Sequence, residues 1–157
     1  MASAKIQIKG LEALQEKLKQ KREVFMNALQ VQLMQLGEQC VTYSKDNKGY
    51  ADRTGNLKNS ISFALFLDGE LVSSHVGQIP KPEETKQGQA GVSSALDEFA
   101  ANGVVAPKGY TIIVVAGMKY GAYVEHKGYN VLHLTKYYMK DEMKKILEEV
   151  VERIKNS

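Results

Sequence analysis

The spacing of apolar positions changes along the chain and sets out its elements in order. Lys5-Ile6-Gln7-Ile8-Lys9 alternates polar and apolar residues, the period of a strand, and Gly10 ends it. From Leu11 the spacing becomes three, four or seven. Leu11, Leu14, Leu18, Phe25, Leu29, Leu33, Leu36, Cys40 and Tyr43 form one stripe of a long amphipathic helix. The stripe predicts a helix from Leu11 to Asp46, about 50 Å long at ~1.5 Å per residue, which Asn47-Lys48-Gly49 would stop. Gly37 interrupts the stripe at a cost of about 1 kcal/mol against alanine. It marks a close backbone contact or a bend.

After a polar turn region from Tyr50 to Ser60, two apolar runs follow, Ser60 to Leu67 and Glu70 to Val76. Asp68-Gly69 between them suits a two-residue hairpin turn in which both positions take a positive φ. Pro80, Pro82, Gly88 and Gly91 then mark a loop inserted at about 77–108. Within it, a short helix is predicted over Val92 to Asn102, with Ser93 or Ser94 as its cap and Gly103 past its end. Tyr110 to Ala116 is rich in β-branched residues and predicts a strand. Gly117 breaks it from a continuation through Tyr120 to Glu125. Leu134, Tyr138, Met143, Ile146, Leu147, Val150 and Ile154 share a face of a closing helix, with Thr135 or Asp141 as its cap. The order predicts a single α+β domain over 1–157. Its antiparallel β-sheet carries a long N-terminal helix and a C-terminal helix packed on one face.

Composition narrows the function. Apolar residues make up 43% and charged residues 25%, as in globular proteins that bury a core. A net charge of +3, spread along the chain, does not call for a nucleic acid or an anionic membrane. No stretch reaches the ~18 apolar residues of a membrane span. Met1 to Gly10 has no apolar core of a signal peptide. A single cysteine, Cys40, excludes an intrachain disulfide and a cysteine-based zinc site, so synthesis in a reducing cytosol is expected.

No catalytic constellation emerges, and neither a metal nor a cofactor is expected. Glu125, His126 and His133 are the nearest approach to a metal cluster, but Glu125 and His126 on a strand would face opposite sides. Cys40 lies on the apolar stripe, where an inert thiol is expected. Asp46 and Asp52 read as solvated turn acids, and no phosphate-cradling or hydrolase motif is present.

Three segments resemble one family, the tail-component proteins of lambdoid long-tailed bacteriophages. Ile6-Gln7-Ile8-Lys9-Gly10-Leu11-Glu12-Ala13-Leu14 is similar to the family's opening strand, Gly-Leu step and long helix. Arg53-Thr54-Gly55-Asn56-Leu57-Lys58-Asn59-Ser60-Ile61 resembles its T-G-x-L-[RK]-x-S-I signature. Tyr120-Gly121-Ala122-Tyr123-Val124-Glu125-His126 resembles its Y-A-x-Y-[VL]-E-x-G segment. The chain departs after Glu125, where His126 to Leu132 carries no proline, and in its longer 77–108 segment.

The resemblance implies a non-enzymatic neck or tail-completion subunit joining head connector and tail. It would be assembled in the cytoplasm of a bacterial host and carried in the virion. A homo-oligomeric ring is implied, a hexamer by analogy with the tail tube, with other neck and tail proteins as partners. No membrane partner is implied, and DNA only as the passing genome. Arg53, Thr54, Gly55, Leu57, Lys58, Ser60, Tyr120, Tyr123 and Glu125 are the candidate interaction or structural residues.

The residues themselves leave two readings of each motif open. Thr54 and Gly55 make a capped turn that sends Leu57 and Ile61 into the core, or exposed Arg53 and Lys58 contact a subunit or DNA. The long helix packs on its own sheet or pairs with another chain. A helix longer than its strands leaves an end for a neighbour. The alternative function is a cytoplasmic prophage-encoded binding module or weak nucleic-acid-associated regulator. Lys5, Lys9, Lys17, Lys19, Lys21 and Arg22 favour it, and the interleaved Glu12, Glu16 and Glu23 oppose it.

Overall fold

The computed structural model describes residues 9–51, 53–75 and 82–157. The strand expected over Lys5 to Lys9 lies almost wholly outside them. Two compact units divide the chain, Met1–Gln32 and Leu33–Ser157, and the boundary falls inside the first helix, α1 (Leu11–Asp46). Within the first unit the apolar stripe is open to solvent at Leu11, Leu14 and Leu18, which are 45%, 54% and 59% exposed. Phe25 and Leu29 are half-buried.

The second unit is built round one strand. β1 (Ile61–Leu67) lies between β2 (Glu70–His75) and β3 (Tyr110–Ala116) in an antiparallel sheet of order β2-β1-β3. Asp68 and Gly69 join β1 to β2 with φ of 51° and 86°, the two positive values a hairpin turn of this length requires. The pairing slips by one residue between Leu65 and Phe66.

Every residue of β1 except Leu67 is buried. Ile61 and Phe63 face Val41 of α1, with Val114, Ala116 and Leu132 beside them. Ala64 and Phe66 face the opposite way. With Ile113 and Val115 of β3 they pack against Val92, Ala95, Leu96 and Phe99 of α3 (Pro82–Ala101). Helices therefore cover both faces of the sheet, not one. The run Ile61-Ser62-Phe63-Ala64-Leu65-Phe66-Leu67 carries no alternation, as a strand buried on both sides does not.

The inserted segment holds the second cover. Its helix begins at Pro82, ten residues ahead of the expected start, and spans 20 residues. Proline is well placed at a helix's first turn, where its missing N–H costs nothing. Gly88 and Gly91, expected in a loop, are where the helix meets the strand end. A Cβ on Gly91 would strike the carbonyl of Gly117, and one on Gly117 would strike the carbonyl of Gly88. Bare backbones permit this approach. Gly37 plays the same part on the other face, where a Cβ would run into the Phe63 ring, so it is a close contact. At the helix's end Gly103 donates to the Ala100 carbonyl at 3.2 Å and Val104 to that of Phe99 at 2.9 Å, a Schellman ending.

The closing helix, called α5 here and spanning His133–Lys155, docks on the C-terminal part of α1. Tyr43 and Tyr138 stack with ring centroids 4.2 Å apart, and buried Ser44 and Thr135 hydroxyls lie 2.6 Å apart. Thr135 is thus an interior contact and not a cap.

Gly91→Ala should lower stability by about 3 kcal/mol, because an added Cβ meets backbone that cannot swing aside. Thermal melting followed by circular dichroism checks this. An unchanged midpoint would mean that α3 and β3 do not approach as described.

Candidate functional site

The two motifs that resembled a known pattern meet at one corner of the second unit. The first leads through Gly55, at φ 77°, into the short helix α2 (Asn56–Asn59). The Thr54 hydroxyl accepts from the Asn56 N–H at 3.4 Å, and Leu57 and Ile61 enter the core at 4% and 0% exposure. Ser60 then ties the motif to the far end of β3. Its Oγ donates to the Leu57 carbonyl at 2.8 Å and accepts from the Met118 N–H at 3.3 Å. Its own carbonyl accepts from Gly117 at 3.1 Å.

The second motif is a helix and not a strand, α4 (Gly121–His126). The chain cannot continue as β3 because Gly117 is pressed against α3 and the next residue, Met118, is bonded to the Ser60 hydroxyl. A turn closes instead, with Gly121 donating to Met118 at 2.8 Å and Val124 to Tyr120 at 3.0 Å. Gly121 is buried where a Cβ would touch Leu57 at 3.0 Å, so α2 and α4 lie against each other through these two residues. Tyr120 and Tyr123 are 43% and 64% exposed. The sequence did contain a helical signal here, since Tyr123 and Lys127 sit four apart and the Lys127 ammonium lies 5.3 Å from the Tyr123 ring centre.

Glu125 has a defined structural role. Its Oε2 accepts from the backbone N–H of Val131 at 2.7 Å and of Leu132 at 2.8 Å, and its Oε1 from that of His133 at 3.1 Å. Three donors at the start of α5 are satisfied by one carboxylate, which also meets the positive end of the helix dipole. Asn130 adds a fourth bond, its Oδ1 accepting from the Leu134 N–H at 2.9 Å. With Glu125 occupied and His126 Nδ1 2.7 Å from the Ala122 carbonyl, these side chains are engaged locally. Among the described residues no group of three or more His, Cys, Asp or Glu could hold a metal ion.

Between α2 and α4 lies a cavity of about 280 Å³, lined by Tyr50, Ala51, Arg53, Thr54, Leu57, Tyr120 and Val124. Arg53 and Thr54 stand exposed at its edge, and Lys48 approaches the Tyr50 ring centre at 5.6 Å. Burial lowers the pKa of Lys45, the charge of half-buried Lys58 adds to the fall, and Glu38 opposes both. Asn56 is 1% exposed, and its amide oxygen and nitrogen have no hydrogen-bond partner among the described residues. Such a group costs about 1–3 kcal/mol against an apolar side chain of similar shape. Lys48, Tyr50 and Lys127 were not among the expected site residues, since no motif includes them.

The Cys40 thiol is fully buried. Burial, and secondarily Glu142, pushes its pKa up to about 12, so it is the neutral thiol at physiological pH. The group is an acid whose folded value lies above its unfolded one near 9.0. Its contribution to stability is therefore intact below pH 9.0 and lost as pH rises toward 12.

No family model, curated protein or solved structure matches the chain. Among the described residues, no helix is long and apolar enough to cross a membrane.

Two outcomes follow from this geometry. Glu125→Ala strips three backbone donors of their acceptor and should cost about 2 kcal/mol. Glu125→Gln should recover part of it in thermal melts, and equal melting of all three proteins would contradict the capping role. Cys40 should resist a thiol-specific reagent at neutral pH in the folded protein and react fully in denaturant. Rapid labelling of the folded form would show that the thiol is not buried as described.

Proposed function

We propose that the chain is a non-enzymatic structural protein of a tailed bacteriophage. It would be a neck or tail-completion subunit that forms a ring between head connector and tail. The observation that carries the reading is the α2–α4 corner. The two family-like motifs, far apart in sequence, build one surface there. It combines a side-chain-sized cavity, exposed tyrosines and an exposed Arg53 at the cavity's edge, a composition suited to gripping another protein.

Open Leu11, Leu14 and Leu18 support an assembled state, since a stripe of this kind ordinarily finds a cover. The corner's polar groups serve packing. Glu125 caps a helix, Ser60 bridges two elements, and their arrangement offers no nucleophile with a base beside it. The work of such a subunit is done by binding. Its surfaces fix neighbours in register and leave a passage for the genome, with no bond made or broken.

Co-expression of the chain with a head connector, followed by sedimentation and electron microscopy of the complex, tests the reading. The expected result is a ring of regular stoichiometry seated on the connector. A chain that sediments alone as a monomer and never accompanies connector or particles would overturn it.

A further inference from the structure

Residues four apart on α5 form two neighbouring rows. Met143, Leu147 and Val151 make an apolar row. Leu147 and Val151 are 49% and 47% exposed, and Met143 is half-buried. Beside it Lys140, Lys144, Glu148 and Glu152, all exposed, make a charged row. The two rows wall an open groove of about 680 Å³, and Lys155 ends the first of them. Asp141, Glu149 and Arg153 do not line the groove. Neither do Glu142 and Lys145, which pair with each other at 2.6 Å.

The order of signs in the charged row selects its partner. Read toward the C-terminus the row is Lys, Lys, Glu, Glu. A second α5 laid alongside in the same direction and register sets like charge on like. Laid antiparallel about the midpoint of Lys144 and Glu148, it sets Lys140 against Glu152 and Lys144 against Glu148. The reverse of each pair repeats across the axis, so all four contacts are of opposite sign. The same reversal brings Met143 near Val151 and Leu147 near its own copy, so the apolar row covers itself. Lys155 comes opposite Tyr137, whose exposed ring offers a face to a cation. Within one copy Lys144 lies 4.0 Å from Glu148, a solvated pair of small worth that can exchange partners across the axis.

We infer that α5 is a self-recognition surface, docking on α5 of a second copy antiparallel about a two-fold axis between Lys144 and Glu148. Burial of Leu147 and Val151 drives the contact, and the charged row fixes its direction and register. A two-fold contact closes on two copies. It therefore joins subunits, or whole rings, in pairs, and it stands independently of the ring reading.

Charge exchange in the full chain tests it. Glu148→Lys with Glu152→Lys makes the row uniformly basic, and Lys140→Glu with Lys144→Glu makes it uniformly acidic. All four side chains are exposed, and circular dichroism checks that each variant folds. In sedimentation at about 100 µM, where contacts of micromolar Kd are populated, each variant alone should show half the wild-type mass. An equal mixture of the two should regain the wild-type mass, as should one chain carrying all four changes. A monomeric wild type, or variants that keep its mass, would overturn the contact. A ring of the same mass in every variant would overturn it while leaving the ring reading intact. A wild type of two copies and no more would support it and count against a ring that the chain builds alone. Single cysteines supply a second measure that disturbs no charge. Under mild oxidation Leu147→Cys should link to its own copy, and Val151→Cys should not. Equal linking of both would mean a parallel pair and contradict the contact, as would linking of neither.

Discussion

A strand with water excluded from both faces needs a cover on each side, close enough to leave no gap. β1 imposes that constraint, and much of the second unit answers it. Each buried leucine, isoleucine or phenylalanine contributes about 1.5–3 kcal/mol only where contact is complete. α1 closes on Phe63 at Gly37, and α3 closes on Gly117 at Gly88 and Gly91. The inserted segment is thus a structural layer, since without it Ala64, Phe66, Ile113 and Val115 would face solvent. The same closure ends β3 at Gly117 and turns the chain into α4, which creates the corner.

The corner is therefore a consequence of core packing before it is a surface. Ser60 and Glu125 hold it with backbone partners, so the exposed Arg53, Tyr120, Tyr123 and Lys127 stand on fixed elements. Surfaces that bind without moving lose less entropy on association. The long helix adds a second theme. One apolar stripe runs along it, buried at Leu33, Leu36 and Cys40 and open at Leu11, Leu14 and Leu18. The pattern continues past the point where the chain's described core ends.

Local periodicity made much of this fold legible. The limits of α1 follow from a 3.6-residue stripe bounded by Gly10 and Asn47, and the hairpin follows from Asp68-Gly69. The failures have a common cause. Gly88, Gly91 and Gly117 read as breakers, and Gly121 as part of a strand, whereas Gly91 and Gly117 permit close backbone contacts, Gly88 offers the carbonyl that Gly117 meets, and Gly121 seats α4 on Leu57. A glycine that ends an element and one that lets two elements touch look alike until the partner is placed. Two-sided cover of β1 was signalled by its unalternating run, but which helix supplies the second layer depends on long-range contacts. The candidate site was half legible. Leu57, Ser60 and Tyr123 stood in motifs, while Lys48, Tyr50 and Lys127 join it only through folding. The role of Glu125 was hidden because its partners are backbone groups of residues 131–133.

Native mass spectrometry of the purified full chain across a range of concentration bears most directly on the proposed ring. A single closed stoichiometry that persists on dilution until it gives way to monomer is the predicted result. A monomer at every concentration, or an open-ended ladder of masses with no preferred size, would contradict it.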